Sequence, residues 1–321
     1  MKPFFHSALL SLAVALPLAA LAAAPAAAPA DRPSAGAVEE IYRGEFDDTG
    51  PQYLLQPAAG RAARFAVWSR ADASWTDNAT FTETNPGQTT VSSFQLGGDV
   101  NCLERTVAEG KLRLAAGAHG QIFRYGFASD DDRVIDYLQV DRNNFDLLGT
   151  HLRATWQRGP WLAASALQGT LLRNRSAGRT FYRELAWDAA LYRQWSVAGK
   201  ATVLVGADLS RRWSTTETYD LLPRSWNDRA EAGLTAAWQQ PIRGKLAWRA
   251  TARAQTSEYL HTDRSRRDVT GSLGAELIYT WRERCDLRVF VSHERRDSTE
   301  PGIPDYARWE AGAGAGMRWE F

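Results

Sequence analysis

The sequence predicts an all-β fold: a closed antiparallel transmembrane β-barrel of about twelve strands, with short periplasmic turns at one end and longer extracellular loops at the other. Three observations carry that prediction. From residue 64 onward apolar and polar residues alternate with a period of two, which sorts them onto opposite faces of strands and would scatter them around a helix. The links between the alternating segments are tight and long in turn. Most of the 13 Trp fall at segment ends, where amphipathic rings favour the two headgroup levels of a bilayer.

Composition narrows the function classes. The 321 residues are 44% hydrophobic and 23% charged, with Lys+Arg 38 against Asp+Glu 37 and a formal net charge of +1. No basic block stands out, so no nucleic-acid partner is expected, because neutralising many phosphates takes a concentrated excess of Lys and Arg. Mean hydropathy is -0.39, and past Ala30 no run of about 18 apolar residues occurs, so helical spans are excluded. The 2 Cys offer neither a disulfide framework nor paired metal-ligand spacing, and no cofactor is expected.

The elements follow in order. Lys2, the apolar stretch from Ala8 to Leu21 and the small residues Ala22 to Ala30 have the three parts of a secretory signal peptide, with cleavage expected after Ala30. The mature chain is then expected outside the cytoplasm. Residues 31–63 are rich in Pro, Gly, Ala and acidic side chains with weak periodicity, and predict a largely irregular periplasmic segment with one helical turn around Val38 to Tyr42. The barrel is predicted over residues 64–321, with strands at 64–82, 89–102, 111–125, 145–157, 161–174, 180–194, 200–214, 226–239, 245–259, 268–282, 285–296 and 306–321.

The segment Thr202 to Ser214 shows the pattern: Val203, Val205, Ala207, Leu209 and Trp213 share one face, while Gly206, Asp208, Ser210 and Arg212 share the other. Arg158-Gly159-Pro160 and Glu283-Arg284 are tight links, whereas Gly126 to Asn144 and Thr215 to Ser225 are long. Within Trp161 to Asn174 both faces carry apolar residues, Leu162, Ala164 and Ala166 against Ala163, Leu167 and Leu171, which predicts a bulge.

The last strand, Tyr306 to Phe321, alternates Trp309, Ala311, Ala313, Ala315, Met317, Trp319 and Phe321 with Arg308, Glu310, Gly312, Gly314, Gly316, Arg318 and Glu320. Together with the export signal, this strand and its aromatic end resemble the assembly signal of Gram-negative outer-membrane β-barrel proteins, over residues 64–321. The resemblance implies an outer-membrane location, contact with outer-membrane lipids and lipopolysaccharide, and insertion by the barrel assembly machinery, with Trp319 and Phe321 in the signal.

Parity puts a charged array of both signs in the lumen. It includes Arg153, Glu231 and Glu276 and a ladder of Arg229, Arg249, Arg253, Arg288 and Arg308 on neighbouring strands, which would favour carboxylate or phosphate groups. The plainer reading is a self-satisfied network that stiffens the lumen. His119 and His151 are expected to face inward at similar height, in a lumen hydrogen bond; beyond Asp99 no third ligand is indicated, so no metal is expected. The function expected is a channel for passive uptake or diffusion of small polar or anionic solutes. A non-conducting structural, adhesion or secretion-associated barrel is the alternative. An enzyme is not expected: the outward His293 leads into Glu294-Arg295-Arg296 without the Ser two places on that a barrel lipid hydrolase carries, and His261 lies in a loop. The loop cluster Asp130, Asp131, Asp132 and Asp136 is expected to be solvated. Cys102 and Cys285 fall three strand steps apart, too far for a bridge within the wall.

Overall fold

A computed structural model describes residues 64–78, 88–126, 145–174, 180–197, 201–216, 225, 227–260, 266–282, 284–300, 303 and 305–321, together with the backbone of 38–47 and 50–58. The expected signal peptide, His261 and the acidic loop cluster lie outside the described residues.

Strands β1 (Val38–Asp47) and β2 (Gly50–Ala58) pair as an antiparallel hairpin of their own. This differs from the irregular segment and helical turn expected there. Ile41 stands opposite Leu55 and Tyr42 opposite Leu54. Branched and aromatic residues suit pleated pairing, and an isolated helical turn fixes several residues for a single hydrogen bond.

The barrel comprises β3 (Phe65–Thr76), β4 (Thr89–Val107), β5 (Gly110–Tyr125), β6 (Phe145–Arg158), β7 (Trp161–Asn174), β8 (Thr180–Val197), β9 (Ala201–Thr216), β10 (Arg229–Arg243), β11 (Leu246–Tyr259), β12 (Arg267–Arg282), β13 (Cys285–Ser298) and β14 (Tyr306–Glu320). Each strand is antiparallel to the next, and β14 pairs β3 to close the ring. The seam is finished by the main chain: Phe321 N–H donates to the Phe65 carbonyl at 2.8 Å, and the Phe321 oxygen accepts from Arg64 at 2.9 Å. Closure leaves no strand edge unpaired, as a hydrocarbon surrounding requires. Every strand expected in this region forms.

The barrel is polar inside and apolar outside. Leu234, Leu273 and Val289 on the outer face are 64%, 61% and 61% exposed, while Asp188, Arg249 and Glu294 on the inner face are 0%, 2% and 2% exposed. Water would not sustain that distribution over a whole barrel, whereas lipid does. Outward Trp161, Trp195, Trp238 and Trp281 ring the short-turn end, and Trp75, Trp213 and Trp309 the long-loop end. Arg193 lies over both Trp161 and Trp195, 5.2 and 5.1 Å from their ring centroids. Trp156 departs from the expected belt: it is buried and donates Nε1 to the Val107 carbonyl at 3.0 Å. Trp187 sits mid-strand and donates Nε1 to Ser165 Oγ at 3.2 Å, so its one polar atom is satisfied on the lipid face.

No bulge interrupts the middle of β7. Its pairing with β6 is continuous, and the only shift against β8 comes at Leu172/Arg173, near the long-loop end. The inward apolar residues have a different cause: Leu162 packs against an inner cluster of Tyr192, Leu204 and Ala237 near the short-turn end. A register shift on β4 falls between Asn101 and Leu103, at Cys102; both cysteines are free. The β4–β5 turn places Ala108 and Glu109 at φ 48° and 61°, a left-handed pair in the manner of a type I′ turn.

Candidate functional site

Alternation aims the lumen residues inward, and strand register decides which of them meet. Three inner-face bridges share one design: a carboxylate on one strand reaches a nitrogen-bearing side chain, Arg or His, two strands away across a glycine on the strand between. Asp99, Gly117 and His151 stand in direct register, with His151 Nε2 3.0 Å from Asp99 Oδ1. A Cβ at Gly117 would lie 2.5 Å from both Asp99 Oδ1 and His151 Cε1. Asp72, Gly314 and Arg288 are also in register, with Arg288 Nη2 2.6 Å from Asp72 Oδ1. Asp208 and Arg253 join across Gly233 through two parallel contacts of 2.7 Å, the bidentate geometry that suits guanidinium and carboxylate.

A fourth cluster sits on β8, β9 and β10. Arg212 donates Nη1 to Glu184 at 2.6 Å and Nε to Glu231 at 2.7 Å. Arg229 donates Nε to the other oxygen of Glu231 at 2.6 Å and stands 3.4 Å from Glu184. Tyr182 and Ser210 add hydroxyl hydrogen bonds to Glu184 and Glu231. Buried charges persist only when paired and hydrogen-bonded in this way.

All five arginines of the expected ladder face inward, each beside a carboxylate. Arg229 meets Glu231, Arg253 meets Asp208 and Arg288 meets Asp72, while Arg249 stands 3.1 Å from Glu276 and Arg308 3.7 Å from Glu294. Their field is therefore that of ion pairs along the wall. Arg153 lies on the inner face of β6, in register with the small residues Ala115 and Ala166. His119 and His151 take separate partners: His151 goes to Asp99, and the His119 ring lies 6.1 Å from that of Trp68. Trp68 donates Nε1 to Asp99 at 3.1 Å, so the one carboxylate takes His151 on one oxygen and the indole that lies beside His119 on the other. Outside the barrel, the His293 ring packs on Trp309 at 4.6 Å.

Toward the long-loop end a vestibule of about 430 Å³ opens between the strands, with the Asp72–Arg288 bridge and the Glu184, Arg212 and Arg229 side chains in its wall. Five arginines (Arg70, Arg212, Arg229, Arg288, Arg308) and three carboxylates (Asp72, Glu184, Glu310) line it, together with inward aromatics. Of the expected site residues only Arg229, Arg288 and Arg308 reach it. The aromatic lining, Phe123, Tyr125, Phe145, Phe181 and Tyr182 among it, was not singled out from sequence. Phe123 and Tyr125 stand two and four residues beyond Gln121 on the inward face of β5, so parity with His119 was the available signal. Phe181 carried no such signal, since it falls at the β7–β8 register shift.

No family model matches the sequence, and no curated protein matches it. Among solved structures, an outer membrane channel from Pseudomonas putida F1 is similar over 81% of this chain and 97% of its own length, at 10% identity and a TM-score of 0.51. A bacterial polysaccharide outer membrane secretin is similar over 81% and 100%, at 11% identity and a TM-score of 0.45. The β domain of a Bordetella autotransporter follows over 80% and 100%, at 12% identity and a TM-score of 0.44. At such identities the likeness is one of fold, and by fold the chain is a closed twelve-stranded antiparallel β-barrel.

Proposed function

We propose that the protein is an outer-membrane channel for passive diffusion of small polar solutes, with a preference for anions. The observation that carries this reading is the vestibule, whose lining holds five arginines against three carboxylates at the end bearing the long loops. A solute entering there meets more guanidinium than carboxylate groups at the lining itself, with Glu231 and Glu294 set behind Arg212, Arg229 and Arg308, and then a lumen wall of oriented ion pairs, which exchanges its hydration for polar contacts. The apolar outer face with its aromatic rims supports a place in a lipid bilayer, and the reading takes that bilayer to be the outer membrane, reached through the barrel assembly machinery, with lipid and lipopolysaccharide as surroundings. A non-enzymatic role accords with His293, whose cross-strand neighbours are Leu273 and Trp309, neither of them a nucleophile.

Planar-bilayer recording of the refolded barrel tests the proposal. Single-channel steps with a reversal potential favouring chloride over potassium support it, and cation preference overturns the anion reading. One feature favours a second reading, a barrel that binds without conducting: the short-turn half of the lumen is packed by Tyr192, Leu204 and Ala237 and by the Asp208–Arg253 bridge. Complete absence of conductance would select it.

A further inference from the structure

The vestibule has two unlike walls. On one side Phe123 and Phe145 lie with ring centroids 4.8 Å apart, and Phe181 meets Phe145 edge-on at 6.2 Å. These rings come from β5, β6 and β8 and line the vestibule, whereas most of the inward positions on β13, β14 and β3 that border it are polar or charged. Lipid anchoring does not explain them, because the belt residues face outward. Packing does not exhaust them either, since all three remain partly exposed and border the open volume.

The other wall is cationic. Strands β5, β6 and β8, which carry the three rings, stand between three and six places round the ring from β13 and β14, which carry Arg288 and Arg308. On β3, beside them, Arg70 donates Nε to Asp72 at 2.8 Å, and Arg288 reaches the other oxygen of the same carboxylate at 2.6 Å. Two guanidinium groups thus converge on one carboxylate at the vestibule wall, which shows the local geometry to be compatible with carboxylate recognition. A cavity of about 430 Å³ lies within the range of small-molecule sites, which are mostly apolar with a few polar groups fixing orientation.

We propose that the vestibule is a selective binding site for small arylcarboxylates, the ring lying on the Phe123–Phe145–Phe181 wall and the carboxylate turned toward Arg288 and Arg308. The proposal deepens the channel reading and rests on it for the direction of entry, while the binding it asserts is measurable separately. A hydrophilic acid of similar size gains only the arginine wall, and a neutral aromatic gains only the phenylalanine wall. Discrimination therefore needs both features in one molecule.

The test uses the full chain refolded in detergent and in planar bilayers, with benzoate, gluconate and benzyl alcohol as probes. Calorimetry is expected to show saturable benzoate binding, about tenfold or more tighter than either of the others. In bilayers benzoate is expected to block chloride current at concentrations where gluconate does not. Phe145→Ser is expected to weaken benzoate toward the gluconate value, and Arg308→Gln toward the benzyl alcohol value. The wild-type comparison needs no variant, so a misfolded variant does not shelter the proposal. Equal affinity for benzoate and gluconate, or no saturable benzoate binding, overturns it. A barrel that conducts and fails this comparison loses the site and keeps the channel; one that binds benzoate selectively and never conducts loses the channel and keeps the site.

Discussion

Arg288 reaches Asp72 across the backbone of Gly314, with Nη2 2.6 Å from Oδ1. The glycine is what admits the bridge, because a Cβ there would sit 3.0 Å from both Arg288 Nε and the Ala71 carbonyl, and closer still to Asp72. Gly314→Ala is expected to destabilise the barrel by about 1–3 kcal/mol, the range for forcing extra volume into a packed interior. Urea titration of the protein in lipid vesicles, followed by Trp fluorescence, measures this. An unchanged midpoint would mean that the bridge does not depend on the close approach.

Asp72 also tunes the vestibule charge. Asp72→Asn removes one negative charge from between Arg70 and Arg288 while keeping a hydrogen-bond acceptor. One unit charge at several ångströms in a hydrated lumen shifts ion preference by about threefold after screening, toward the anion. Reversal potentials under a salt gradient read the shift, and its magnitude should fall as ionic strength rises. Movement toward the cation would contradict the assigned lining.

On the outer face, Ser165 Oγ accepts the Trp187 Nε1 hydrogen bond at 3.2 Å. Ser165→Ala leaves an indole N–H without its partner in hydrocarbon, whereas Trp187→Phe removes the donor itself. The serine variant is therefore expected to lose about 1–2 kcal/mol through the unmade bond, and the double variant less than the sum of the two singles. A double-mutant cycle of unfolding free energies in bilayers checks this, and strict additivity would disconnect the two residues.

Ala108 holds φ 48° in the β4–β5 turn, a conformation that asparagine tolerates better than alanine. Ala108→Asn should raise stability by about 1 kcal/mol with no change in conductance. A lowered unfolding midpoint would count against left-handed strain at this turn.

The period of two made the twelve strands and the inward charges legible in sequence, because each face of a strand meets one solvent. Partner choice was not legible. Asp72 and Arg288 lie 216 residues apart, and only the closed register brings them together over Gly314. The inward apolar side of β7 read as a bulge because Tyr192, Leu204 and Ala237, which it packs against, come from three other strands. The N-terminal hairpin was missed for want of clear alternation within 31–63. Phe123 and Phe145 lie on the inward face that parity gives for β5 and β6, whereas Phe181 is turned to join them by the register shift between β7 and β8, which alternation does not reveal.

The Asp72–Arg288 bridge joins the first barrel strand to the penultimate one, and the Phe65–Phe321 hydrogen bonds join the first to the chain's last residue. Neither contact exists until the ring has shut, so neither lowers the barrier to insertion. Both act afterwards as a latch, lengthening the lifetime of the finished barrel without hastening its assembly.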